Sequence, residues 1–123
     1  MEDVKKVKTS NICSLEQALE LYEKNSEWHG IGSNEGNRNM CNLAYSNLRT
    51  CYYYLKERNM VNLLEILLQH EDCSVRLWAA YALLPVKKEA KEVIEKISKK
   101  NTIIGFDAEM TLIEWKKGRL KIF

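Results

Sequence analysis

Met40, Ala44, Leu48, Cys51 and Leu55 recur at intervals of three and four, the spacing that gathers apolar side chains on one face of a helix. They predict a helix from about Glu35 or Asn37 to Arg58, its face widened by Leu43, Tyr45, Tyr52 and Tyr54. Upstream, Ser14 and Gln17 form a capping box, and Leu15, Ala18, Leu19 and Tyr22 make the stripe of a first helix from about Leu15 to Lys24 or Glu27. Gly30, Gly32 and Gly36, mixed with Ser33 and Asn34, predict a flexible joint over residues 30–36. No strand precedes this glycine cluster and no lysine followed by serine or threonine closes it, so it lacks the frame of a phosphate-binding loop. The first ten residues carry no periodicity and read as loose.

Beyond Arg58 the pattern predicts four more helices. Asn59 is placed to cap the third, with Val61, Leu64, Leu67 and Leu68 inward and Leu63 and Ile66 broadening the buried arc. The fourth follows Asp72 and Ser74 and ends at Pro85; Val75, Ala79, Ala82 and Leu83 form its inner line, where the alanines permit close helix contact. Residues 87–100 make the fifth, with Ala90, Val93, Ile94 and Ile97 inward and Glu92–Lys96 and Glu95–Lys99 paired on the wet side. Asn101 or Gly105 is expected to end it. The sixth runs from Phe106 to Lys117 with Phe106, Met110 and Ile113 on one side, and Gly118 ends it. The tail, Arg119 to Phe123, is too apolar to stay free and is expected to pack on the last hairpin as an extended cap. The reading is a single all-α domain, 1–123: an N-terminal helical part (1–58) with its joint, two helical hairpins (59–117) and a C-terminal cap (118–123).

Composition narrows the class. Forty-six per cent apolar residues in 123 is ample for one folded core, and 19 basic against 17 acidic side chains give only +2, too weak a field to select a partner. The charge is uneven: residues 1–84 carry a net −2 and residues 85–123 a net +4. No apolar run approaches the roughly 20 residues a membrane span needs. Met1-Glu2-Asp3-Val4-Lys5-Lys6 lacks the apolar core of a secretion signal, so a soluble cytoplasmic protein without a membrane partner is expected. Cys13, Cys41, Cys51 and Cys73 are too far apart for a Cys-x-x-Cys pair, and Cys41 and Cys51, among apolar positions, read as buried reduced thiols.

Candidate chemistry is sparse. His29 and His70 are the only histidines, and neither has a second histidine or a cysteine at ligand spacing. His70-Glu71-Asp72 has the letters of an acid–base cluster, yet a turn with a capping aspartate accounts for them. The chain is therefore read as a non-enzyme, with no catalytic residue, no metal and no cofactor. Lys87, Lys88, Lys91, Lys96, Lys99 and Lys100 offer phosphate contacts, but Glu89, Glu92 and Glu95 interrupt them, which makes nucleic acid the lesser partner class.

Residues 60–84 and 87–117 share one plan, a helix rich in leucine or isoleucine, a turn, then a helix with small inward residues, as stacked repeats do. Asp72, Val75, Arg76, Ala79 and Leu83 spell Asp-x-x-Val-Arg-x-x-Ala-x-x-x-Leu, and here the sequence resembles HEAT-like repeat proteins. The resemblance implies a right-handed α-α superhelix of about six helices, with Asp72 as cap, Val75 in the core and Arg76 bracing neighbouring turns. Gly105-Phe106-Asp107-Ala108-Glu109 has no Val-Arg pair, so one repeat matches well. Residues 58–120, with Met110-Thr111-Leu112, also resemble the small bacterial HEAT-like family DUF2019. In fold and size such proteins are similar to immunity proteins that neutralise a secreted toxin.

Protein binding is the function these features imply. Glu16, Glu20, Glu23 and Glu27 recur at helical spacing as an acidic edge suited to a basic partner such as a toxin domain, and Trp28 and Tyr53 are candidate aromatic anchors. An immunity protein would act by stoichiometric occlusion of its toxin. A scaffold subunit and a nucleic-acid-binding HEAT-like protein are the alternatives.

Overall fold

The computed structural model describes residues 4–123. The looseness expected of Met1, Glu2 and Asp3 falls outside the described residues. Among those described the chain is all-α, with five α-helices, two 3₁₀ segments and no strand, and none of the helices is long and apolar enough to cross a membrane. It divides into two compact units, Met1–Leu63 and Leu64–Phe123.

The first unit is a hairpin of two long helices, α1 (Leu15–Glu35) and α2 (Arg38–Glu57). Ser14 Oγ accepts from Gln17 N–H at 3.1 Å, while Gln17 Oε1 accepts from Cys13 N–H at 2.7 Å, so the capping box closes one residue ahead of the cap itself. The joint expected over residues 30–36 does not exist. α1 continues through Gly30 and Gly32, and only Gly36, at φ 68°, leaves the helix. Packing overrides propensity here. A Cβ on Gly32 would stand 2.9 Å from Cys41 Sγ and 3.3 Å from Asn37 O, so the bare Cα lets the start of α2 close on the end of α1. Two helical glycines cost about 1 kcal/mol each relative to alanine. Completely burying Tyr22, Leu48 and Leu55, at about 1.5–3 kcal/mol per large apolar side chain, outweighs that.

Nor are the residues before α1 loose. Asn47, fully buried on α2, accepts from Val7 N–H at 2.7 Å and donates to Lys5 C=O at 2.7 Å, tying the segment 5–7 to the hairpin as a strap. At the far end of α2, Asn59 was expected to cap the next helix. It instead closes α2 at φ 57°, with Met60 N–H reaching back to Leu55 C=O at 2.8 Å. Asparagine tolerates the left-handed conformation that this stop requires.

The next segment, Val61–Gln69, is a 3₁₀ helix, not the α-helix expected. With three residues per turn Leu64 and Leu67 align and are buried, whereas Ile66, assigned to the buried arc by the α period, is 68% exposed. Asp72 Oδ1 then accepts from Ser74 N–H (2.8 Å) and Val75 N–H (3.2 Å) and starts α3 (Cys73–Leu83), whose Val75, Ala79, Ala80 and Leu83 are fully buried. α4 (Lys88–Ser98) buries Ala90, Ile94 and Ile97 and packs against α3 and α5 (Ile103–Lys116).

α5 departs from expectation at its start and in its orientation. Thr102 caps it, so Gly105 lies inside the helix instead of ending α4. A Cβ at Gly105 would fall 1.9 Å from Lys100 O, which only glycine permits. The buried line is Gly105, Ala108 and Leu112, small residues that bring α5 close, so Phe106 and Met110, expected to face inward, are 62% and 40% exposed. The tail leaves α5 with Arg119 bonded to Glu114 of the last hairpin, and its end reaches further, to α3. Phe123 is buried, its ring stacked on Trp78 with centroids 5.9 Å apart and edge-on to Tyr81 at 5.1 Å, and Tyr81 Oη donates to Lys121 C=O.

Candidate protein-interaction site

The unbroken α1 sets the geometry of the acidic edge. Glu16, Glu20, Glu23 and Glu27 fall within a narrow arc of one helix, spread over about 16 Å of its axis at 1.5 Å per residue. Glu16 and Glu20 are exposed; Glu23 and Glu27 are half-buried. Trp28 follows Glu27 in the chain but lies about a third of a turn around α1 from the edge, half-buried, with Lys24 Nζ 5.7 Å from its ring centroid. Tyr53 belongs to a different cluster: on α2 its ring meets Tyr52 edge-on at 5.3 Å and lies under Arg49 (5.2 Å) and Lys56 (5.7 Å). The cations fix the ring, which makes Tyr53 part of a basic aromatic patch.

On α1 a second set of residues, Gln17, Leu21, Asn25 and Trp28, lies about 120° around the helix from the acidic edge. With Lys5, Lys6 and Val7 of the strap and Asn11 they line a groove of about 610 Å³. Sequence reasoning missed this groove and the asparagines behind it. Asn25 and Asn47 are both fully buried, and Asn47 Nδ2 donates to Asn25 Oδ1 at 2.9 Å. The available signal was a polar residue on an apolar stripe: Asn25 follows Ala18 and Tyr22, and Asn47 stands between Ala44 and Cys51. His29, next to Trp28, has its pKa lowered below 6.5 by burial.

In the second unit Asp72, Val75 and Arg76 surround one turn. Arg76 donates through Nη1 to His70 C=O (2.6 Å) and Glu71 C=O (3.0 Å), and through Nη2 to Cys73 Sγ (3.1 Å), so these bonds tie down the turn that precedes its own helix. His70 Nδ1 accepts from Asp72 N–H at 2.9 Å, a backbone-bracing role. A groove of about 730 Å³ adjoins this turn, floored by Leu68, Val93 and Ile97. Arg76, Lys87, Lys96 and Lys100 line it beside Glu65, Glu89 and Glu92, and Lys87 is paired with Glu65, whose hydrogen bond and charge raise the lysine pKa. The field along these lysines is mixed.

The thiols are free, with Cys13 exposed, Cys41 and Cys73 half-buried and Cys51 buried, where desolvation pushes its pKa up to about 12 and keeps it protonated. No protein-family model, curated protein or solved structure matches this chain.

Proposed function

We propose that the protein is a binding module that recognises a basic protein domain through the acidic edge of α1. Its mechanism is stoichiometric occlusion: Glu16, Glu20, Glu23 and Glu27 steer and orient a cationic surface, and Trp28, about a third of a turn around the helix, supplies apolar contact area at its flank. An immunity protein covering the working surface of a toxin is the form of this mechanism that suits a small helical protein, and HEAT-like hairpins stacked in a right-handed superhelix are the architecture it goes with. The single observation that carries the reading is the continuity of α1 from Leu15 to Glu35, which holds all four carboxylates and Trp28 on one rod. Rigid presentation matters because charges on a preformed helix need no ordering on association.

The test is co-purification of the partner from the source cell, then titration of the purified pair by calorimetry. A one-to-one complex that weakens about tenfold or more in Glu16→Lys/Glu20→Lys, with unchanged melting temperature, is expected. Unaltered affinity in that variant would remove the acidic edge from the interface.

A further inference from the structure

The groove between the strap and α1 has chemistry opposite to that of the acidic edge. Among the described residues its lining contains Lys5 and Lys6 and no carboxylate, and Lys24 stands at the Trp28 ring. Its amides are aimed by their own backbone contacts. Asn11 Oδ1 accepts from Lys8 N–H at 3.1 Å and Gln17 Oε1 from Cys13 N–H at 2.7 Å, so the oxygens are occupied. Among the described residues the Asn11 and Gln17 NH₂ groups have no acceptor. Donors are plentiful here, and Leu21, Val7 and Trp28 supply apolar surface beside them.

The strap adds a directional element. One amide, that of Asn47, satisfies both Lys5 C=O and Val7 N–H, so those two groups face the same way, as alternate residues of an extended chain do. Lys6 N–H and C=O therefore face away from Asn47, and neither has a partner among the described residues. They form a one-residue strand edge, able to exchange two hydrogen bonds with a second extended chain. From Gln17 to Trp28 the groove follows α1 for about 16 Å, room for roughly five extended residues.

We propose that this groove docks an extended acidic segment of a partner protein, whose backbone pairs with the Lys6 edge and whose carboxylates meet Lys5, Lys6 and the Asn11 and Gln17 amides. Charge complementarity selects the occupant: the ammonium groups and amide donors that line the groove among the described residues favour a chain rich in carboxylates, and alternation of side chains along it sends apolar residues to Leu21 and Trp28. The site shares Trp28 with the proposed acidic-edge interface but none of its charged residues, so charge reversal at one leaves the charges of the other in place.

The test is ¹⁵N-resolved NMR titration of the full chain with a capped heptapeptide of alternating glutamate and valine. Its lysine–valine counterpart, inorganic phosphate and an oligothymidylate are the comparison probes. Saturable shifts at the Lys6 amide, the Asn11 and Gln17 side-chain amides and the Trp28 indole N–H are expected with the acidic peptide. Lys5→Glu/Lys6→Glu, at exposed positions, should weaken it roughly tenfold with an unchanged melting curve, while Glu16→Lys/Glu20→Lys should not weaken it. Absence of these shifts, equal binding of the lysine–valine peptide, or indifference to the double lysine variant would overturn the proposal. So would tighter binding of phosphate or of the oligonucleotide at the same residues.

Discussion

Asn47 Nδ2 lies 2.9 Å from Asn25 Oδ1, and both residues are completely buried between α1 and α2. The pair is the polar centre of the first unit, since Asn47 also holds Lys5 C=O and Val7 N–H. Asn47→Leu would leave three polar groups without their partner, one of them on buried Asn25, so a loss of about 2–4 kcal/mol is expected in chemical unfolding. Fast hydrogen exchange at Val7 should accompany it. Asn25→Leu/Asn47→Leu should cost less than the two single losses combined, because a buried acceptor stranded by one change is removed by the other.

Val75 and Arg76 are neighbours with unlike roles. Val75 is fully buried, and Val75→Asp places a charge there, so a loss of several kcal/mol, about 3 or more, and disappearance of the native melting transition are predicted. Arg76→Ala removes bonds to the His70 and Glu71 carbonyls with little core volume; about 1–3 kcal/mol in urea unfolding is expected. A variant indistinguishable from wild type would show that the turn does not need the guanidinium.

Gly105 and Gly32 both lie within helices at close approaches, and differ in what a methyl group would strike. At Gly105 it would meet the Lys100 carbonyl, backbone that cannot turn aside, so Gly105→Ala should open the α4–α5 hairpin and cost roughly 2 kcal/mol or more. At Gly32 the first obstacle is the Cys41 thiol, a side chain that can rotate. Gly32→Ala should therefore be the milder change, and thermal melts of the two variants give the order.

His29 sets a pH dependence with a definite sign. Burial holds its pKa in the folded state below the ordinary 6.5, so as pH falls through 6.5 the unfolded chain takes a proton that the folded chain refuses. Stability should decline as pH falls through 6.5, and His29→Gln should flatten that slope. Asp107 acts oppositely and at lower pH: burial raises its pKa above 3.8, so acidification relieves the folded state there.

Much of the helical plan was legible because local chemistry and tertiary packing agree. Ser14 with Gln17, the stripe from Met40 to Leu55, the Asp72 cap and the charged flank of α4 each gave the element that exists. The misreadings share a cause, a backbone stop or a bulky side chain taken as decisive where packing decided otherwise. Gly30 and Gly32 read as a joint because helix propensity is local, while the close approach of Cys41 to Gly32 is not. Phe106 and Met110 read as core by size, but the helix is seated on Gly105 and Ala108. The 3₁₀ winding of Val61–Gln69 turned Ile66 outward. Of the candidate site, the shared helix face of Glu16, Glu20, Glu23 and Glu27 was legible from spacing, whereas the placing of Trp28 inside the helix was not, because Gly30 read as the start of a joint. The strap and its groove were not, because they depend on Asn47 meeting residues 40 and 42 positions earlier in the chain.

Both proposed surfaces rest on α1 being one continuous rod, and backbone carbon chemical shifts over residues 24–35 measure that directly. Helical secondary shifts through Glu35, breaking at Gly36, are the result this account predicts. Random-coil values setting in at Gly30 or before, with Trp28 at a frayed end, would contradict it.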